Sequence, residues 1–117
     1  MLTPHPPNSY AKAAVHRAPQ NQSPWNYLRG LVRHAQLPPD TLKDFAAMFA
    51  DPHKPDEVRS SHALDLLADI YAAEGGRDDA ATALDLLATR YDPIRQNYWN
   101  YRKSLLDAPA AAPINTV

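Results

Sequence analysis

Apolar side chains recur at three- and four-residue steps through most of the sequence, the spacing that gathers side chains on one face of an α-helix. Five segments carry this period, and a sixth, the first in the chain, favours helix by its composition. The first, 10–18, is closed by Pro19, whose ring drives the preceding residue out of the helical region. The second opens at Ser23-Pro24, where the serine hydroxyl can accept from free amide hydrogens and proline loses no needed donor. It is predicted over 24–36, with Trp25, Leu28 and Val32 on one face, Leu31 flanking it, and Arg29 and Arg33 to one side. Leu37-Pro38-Pro39-Asp40 stops it. Asp40 is placed to cap a third helix over 41–50, whose apolar face is Leu42, Phe45, Ala46 and Phe49.

A polar loop over 51–57 leads to a fourth helix predicted over 58–74, with Leu64, Leu67, Ala68 and Tyr71 aligned and Gly75-Gly76 closing it. Asp78 and Asp79 suit the positive end of a fifth helix that carries Ala80, Ala83, Leu84 and Leu87 and ends near Tyr91. Asp92-Pro93 repeats the cap-then-proline start. It opens a sixth helix to about residue 106, with Ile94, Tyr98, Tyr101 and Leu105 in line. The proline-rich stretch 1–8 and the Ala- and Pro-rich stretch 108–117 are expected to be a disordered start and a flexible tail around one helical region, 9–107. No alternating run is long enough to argue for a strand. The fold class is therefore all-α, built of antiparallel helical hairpins, either as a bundle or as part of an α-α superhelix.

Composition narrows the chemistry. A formal net charge of -1, from 12 basic and 13 acidic residues, gives no electrostatic reason to expect nucleic acid or an anionic membrane surface as partner. No apolar run approaches the roughly 20 residues of a membrane span, and the first ten residues lack the features of a signal peptide, so a soluble, cytoplasmic protein is expected. The absence of cysteine excludes disulfides and thiolate metal sites, and the ending Ile114-Asn115-Thr116-Val117 holds no prenylation signal. His5, His16, His34, His53 and His62 include no pair at helical ligand spacing, so no metal site is predicted. Asp65, Asp69, Asp78, Asp79 and Asp85 have no matching base or nucleophile beside them and read as solvated helix faces. No catalytic residue is predicted. Asn21-Gln22-Ser23 has the form of a glycosylation acceptor, but Asn21 reads better as a loop or cap residue. Trp25 reads as a packing anchor. Tyr98, Trp99 and Tyr101, with no basic groove around them, read as core or subunit contact rather than a base-stacking platform.

The segment QNQSPWNYLRG at 20–30 resembles the repeat motif of protein prenyltransferase α subunits, matching through Pro19, Asn21, Pro24, Trp25, Asn26 and Tyr27. YDPIRQNYWNYRKS at 91–104 resembles the C-terminal helix of the shared farnesyltransferase and geranylgeranyltransferase type I α subunit, and LLADIYA at 66–72 and ALDLLATRYD at 83–92 continue the likeness in order. The Rab-type geranylgeranyltransferase α subunit shares the repeat but is less similar at this ending. The resemblance implies a crescent of helical hairpins around a β subunit that holds zinc, with magnesium also expected in the assembly. That heterodimer would transfer farnesyl or geranylgeranyl from its diphosphate to a cysteine near the C-terminus of a CaaX protein. An active-site lysine of an earlier repeat corresponds here to Gln20, and the motif tyrosine to Gln22, so neither role carries over. Residues 1–9 do not continue the likeness, and the earlier repeats are not in this sequence, which predicts a shortened C-terminal portion without a complete active site. Trp25, Asn26, Tyr27, Arg29, Tyr98, Trp99 and Tyr101 are the candidates for packing and interface. A free-standing peptide-binding module of the tetratricopeptide kind is the rival reading, although its 34-residue period is not evident.

Overall fold

The computed structural model describes residues 9–34 and 39–107. The expected loose start, the expected tail and residues 37 and 38 of the proline stop lie outside the described residues. Among those residues are six α-helices and no strand: α1 (Ser9–Arg17), α2 (Gln22–Arg33), α3 (Pro39–Ala47), α4 (Ser61–Ala73), α5 (Arg77–Leu86) and α6 (Gln96–Leu105). Successive helices pack as hairpins, α1 on α2, α3 on α4, α4 on α5 and α5 on α6. Since α2 also lies against α4, the hairpins stack side by side, and the body is elongated, 52 × 36 × 22 Å.

One core runs through the stack. Trp25, Leu28, Leu42, Phe49, Leu64, Leu67 and Leu87 are all fully enclosed. Trp25 meets Phe45 at 5.6 Å and Phe49 nearly edge-on at 5.8 Å, and the two phenylalanines meet at 5.2 Å. Such tilted aromatic pairs contribute about 0.5–1.5 kcal/mol each beyond the area they bury, so α2 is pinned to α3 more firmly than aliphatic contact would achieve. His16 of α1 lies over the same two phenylalanine rings, at 5.6 and 5.2 Å, and closes the end of the cluster.

Helix boundaries depart from the sequence pattern where side chains compete for backbone groups. Helix α2 begins two residues before Pro24, and its cap is Asn21, whose Oδ1 accepts from the Ser23 amide at 3.3 Å. Ser23 is thus inside the first turn. Helix α3 begins at Pro39, which puts Asp40 in the first turn and not at the cap. Helix α4 starts at Ser61 rather than near 58, because the Arg59 amide donates back to the Phe49 carbonyl at 2.7 Å and the buried Ser60, in extended conformation, caps through its Oγ to the Ala63 amide at 3.1 Å. Its far end closes as expected. Gly75 has φ 82°, where a side chain would be strained, and this allows Gly76 to donate to the Tyr71 carbonyl and Gly75 to that of Ala72.

The end of the fifth helix widens into a π turn, Leu87–Tyr91, where the Asp92 amide reaches the Leu87 carbonyl at 2.8 Å. A short 3-10 turn, Pro93–Arg95, separates it from α6. Asp92 does not cap. Its carboxylate instead accepts from the Trp99 indole at 3.1 Å and the Arg95 guanidinium at 2.7 Å. These bonds set the rotation of α6: Trp99, Arg102 and Leu106 turn inward, while the expected stripe of Ile94, Tyr98, Tyr101 and Leu105 faces solvent.

Candidate functional site

The two tryptophan-bearing helices repeat one local device. The indole nitrogen of Trp25 donates to the carbonyl of Pro19 at 2.8 Å, six residues back, and that of Trp99 donates to the carbonyl of Asp92 at 3.2 Å, seven residues back. Each ring is buried, and each thereby fastens its helix to the turn that precedes it. The sequence carries a sign of this in the tripeptide Trp-Asn-Tyr, present at 25–27 and again at 99–101. Asn26, Tyr27, Asn100 and Tyr101 point outward in both copies.

Gln20, which stands at the lysine position of the motif, is structural here. Its Oε1 accepts from the Ser61 amide at 2.9 Å and the Ser61 hydroxyl at 3.1 Å, and its carbonyl lies 3.1 Å from Nε2 of His62. It satisfies an amide of the first turn of α4 from the turn before α2.

Between the tryptophan helices lies a closed ring of charge. Asp65 and Asp69, one turn apart on α4, share one face. Arg29 from α2 pairs with Asp69 and lies 3.6 Å from Asp65; Arg102 from α6 pairs with Asp65 and, at 2.6 Å, with Asp69. Each guanidinium therefore meets both carboxylates. The solvated-face reading is corrected for Asp65, whose side chain is 25% exposed beside an Arg102 side chain that is 14% exposed, while Asp69 remains exposed at the edge of the ring. Burial works against the charge of Arg102, but Asp65 and Asp69 outweigh it and hold its pKa above the ordinary value. Arg102 also lies over the rings of Tyr98 and Trp99, at 5.7 and 5.4 Å. Asp78, Asp79 and Asp85, by contrast, stand outside this ring. Asp85 meets Lys103 at 2.8 Å and Asp79 meets His53 at 3.0 Å.

Outside the ring, α6 and the 3-10 turn before it present an apolar face to solvent: Ile94 of the turn is 95% exposed, and on α6 Tyr101 is 60%, Leu105 51% and Tyr98 48% exposed. The seven candidate residues thus fall into three settings. Trp25 and Trp99 are buried anchors, Arg29 is half of the α2 to α4 bridge, and Asn26, Tyr27, Tyr98 and Tyr101 are at the surface. A groove of about 400 Å³ between α2, α3 and α4 has an apolar floor that includes Val32, Leu42 and Ile70. Its rim carries Arg29 and Arg33 opposite Asp40, Asp69 and Glu74, so it selects neither anion nor cation. Among the described residues no three His, Cys, Asp or Glu side chains gather where they could hold a metal ion, and no helix is long and apolar enough to cross a membrane.

Stacked helical hairpins, the first and the last locked by an indole to the turn before its helix and both tied to α4 by arginine-aspartate pairs, define this chain as a segment of the helical prenyltransferase α-subunit fold. No protein-family model matches it. The chain is 41% identical over 98 residues to the protein farnesyltransferase/geranylgeranyltransferase type-1 subunit alpha of Candida albicans, an alignment covering 84% of this chain and 32% of that protein. The protein of the same name from Dictyostelium discoideum is 30% identical over 94 residues, 75% of this chain and 28% of the relative. A solved structure, Candida albicans protein geranylgeranyltransferase-I complexed with GGPP, superposes with a TM-score of 0.78 at 38% identity, over 85% of this chain and 32% of the matched one. The chain belongs to the protein farnesyltransferase/geranylgeranyltransferase type I α-subunit family. It spans about a third of the length of the curated relatives it matches.

Proposed function

We propose that this chain serves as the C-terminal scaffold of a heterodimeric protein prenyltransferase, stiffening the α-subunit crescent and contacting the β subunit. With that partner, the enzyme would transfer a farnesyl or geranylgeranyl group from its diphosphate to a cysteine near the C-terminus of a CaaX protein. The nucleophile for such a transfer is a thiolate, activated by zinc, and the departing diphosphate needs cationic stabilisation. Zinc and magnesium belong to the assembled enzyme in this reading, held through the β subunit. The chain's own part is to hold helices in register. Trp25, Trp99 and Arg29 do this from within; Asn26, Tyr27, Tyr98 and Tyr101 are the proposed surface for the partner. A cytoplasmic setting goes with this reading.

The observation that carries the proposal is the continuity of the homology: 41% identity over 98 residues, with both tryptophan helices inside a fold that superposes on the relative. Co-expression with a prenyltransferase β subunit tests it. Stable one-to-one association supports the scaffold, whereas a chain that stays apart from β and instead binds extended peptides belongs to the tetratricopeptide-like reading.

A further inference from the structure

We propose that the Arg29–Asp65–Asp69–Arg102 ring is a salt-sensitive clamp that sets the angle of α6 to the hairpins before it. The inference concerns the chain's own conformation and stands apart from any partner. Helix α6 is secured on one side by packing: Trp99 is buried, and the helix lies against α5 and the π turn. On the side facing α4 the fit is different. A groove of about 210 Å³ separates the two helices, floored by Ala68, Ala72 and Leu84 and bordered by Leu105 and Leu106. Arg102 and Asp69 line that groove, and the guanidinium crosses it to reach α4.

A helix packed along one edge and bridged across a void along the other has one soft rotation, about the packed edge. Charge holds it in place. Because both arginines use the same two carboxylates, the position of α6 is referred directly to α2, and loss of either carboxylate loosens both links. The ring is only partly buried, with the Asp69 side chain 48% exposed, so dissolved ions reach it. The screening length falls from about 10 Å at 0.1 M salt to about 3 Å at 1 M, which makes the clamp weaken with ionic strength while Trp99 packing does not.

The chain contains no cysteine, so Asn26→Cys with Asn100→Cys gives two unique labels, one on α2 and one on α6, both at exposed positions. The distance distribution between spin labels at these sites is read in the full chain at 0.1 M and 1 M salt, alone and with Asp65→Asn or Arg102→Gln. The clamp requires a single narrow distance at low salt, and a shifted, wider distribution both at high salt and in each variant, with helix content by circular dichroism retained. An unchanged distribution at 1 M salt in the chain with native Arg102 and Asp65 overturns the proposal, and that arm needs no destabilising substitution. Equal widening of a second label pair within the packed α4–α5 hairpin overturns it as well, because general loosening would then be the cause.

Discussion

Trp25 and Trp99 stand 74 positions apart and make the same bond, each giving its indole hydrogen to a carbonyl in the turn before its own helix. Their surroundings differ. Trp25 packs against Phe45 and Phe49 in the middle of the core, while Trp99 has Tyr98 at 4.9 Å and Arg95 and Arg102 over its ring, at the end of the stack.

The difference predicts unequal consequences of truncation. Trp25→Ala removes a buried ring whose loss costs about 3–5 kcal/mol, a large part of the stability of a small domain, and global unfolding is expected. Trp99→Ala removes a ring at the last helix, so α6 should fray while α1 to α5 stay folded. Amide hydrogen exchange resolved by segment checks this: in the second variant, fast exchange is confined to 92–107.

Two caps can be told apart from the residues that merely resemble caps. Asn21→Ala should cost roughly 1 kcal/mol, and Ser60→Ala about 1–2 kcal/mol because the hydroxyl is enclosed and leaves the Ala63 amide without a partner. Ser23→Ala, exposed and inside the helix, should stay within about 0.5 kcal/mol. Chemical denaturation of the three variants gives the order; a larger loss at Ser23 than at Asn21 would mean that the helix starts later.

What could be read in the sequence was whatever depends on local periodicity. Six helical segments, the glycine closure after α4 and the buried faces of α3 and α4 all follow from residues within a few positions of one another. The long-range bonds could not be read that way. Nothing near Asp65 marks it as the partner of arginines 36 and 37 positions away, and Asp92 looked like a cap until the Trp99 indole and Arg95 claimed its carboxylate. The rotation of α6 depends on the same kind of distant contact. Its apolar stripe is as regular as that of a core helix, and only the distant anchors show that the stripe faces out. The recurrence of Trp-Asn-Tyr at 25 and 99 was the one available hint.

Acid should release the end of α6. Asp107 bonds the Arg77 guanidinium at 2.6 Å, joining the end of α6 to the start of α5. That hydrogen bond is the main cause that holds the Asp107 carboxyl below its ordinary range; desolvation opposes it, and the charges of Arg77 and Lys103 add to it. A carboxylate depressed in the folded state stabilises that state fully above the unfolded value, about 3.9, and the contribution is lost as pH falls through the lower, folded value. The Asp107 carboxyl resonance should therefore titrate below about 3.9 and return toward it in Arg77→Gln. An identical midpoint in both proteins would mean that the bond is not formed in solution.

The outward face of α6 supplies the sharpest test of the scaffold reading, because the repeat indicates what such a face lacks. Aligning Trp99 on Trp25 places Tyr98 at the position of Pro24 and Leu105 at that of Leu31. Pro24 and Leu31 are buried in α2, but Tyr98 and Leu105 are about half exposed. Ile94 and Tyr101 extend the same surface and are the most exposed of the four, so neither can contribute much to the stability of the chain alone. Ile94→Ser with Tyr101→Ser should leave the thermal midpoint nearly unchanged, since surface substitutions fall within about 0.5 kcal/mol each. If this face meets the β subunit, aromatic and aliphatic side chains at its centre should each account for more than about 1 kcal/mol of association, and the double variant should bind β at least about tenfold more weakly. Titration of β against labelled chain measures the change. Undiminished binding by a fully folded double variant would move the contact elsewhere, to the Asn26 and Tyr27 side of α2, where the corresponding pair of substitutions repeats the test.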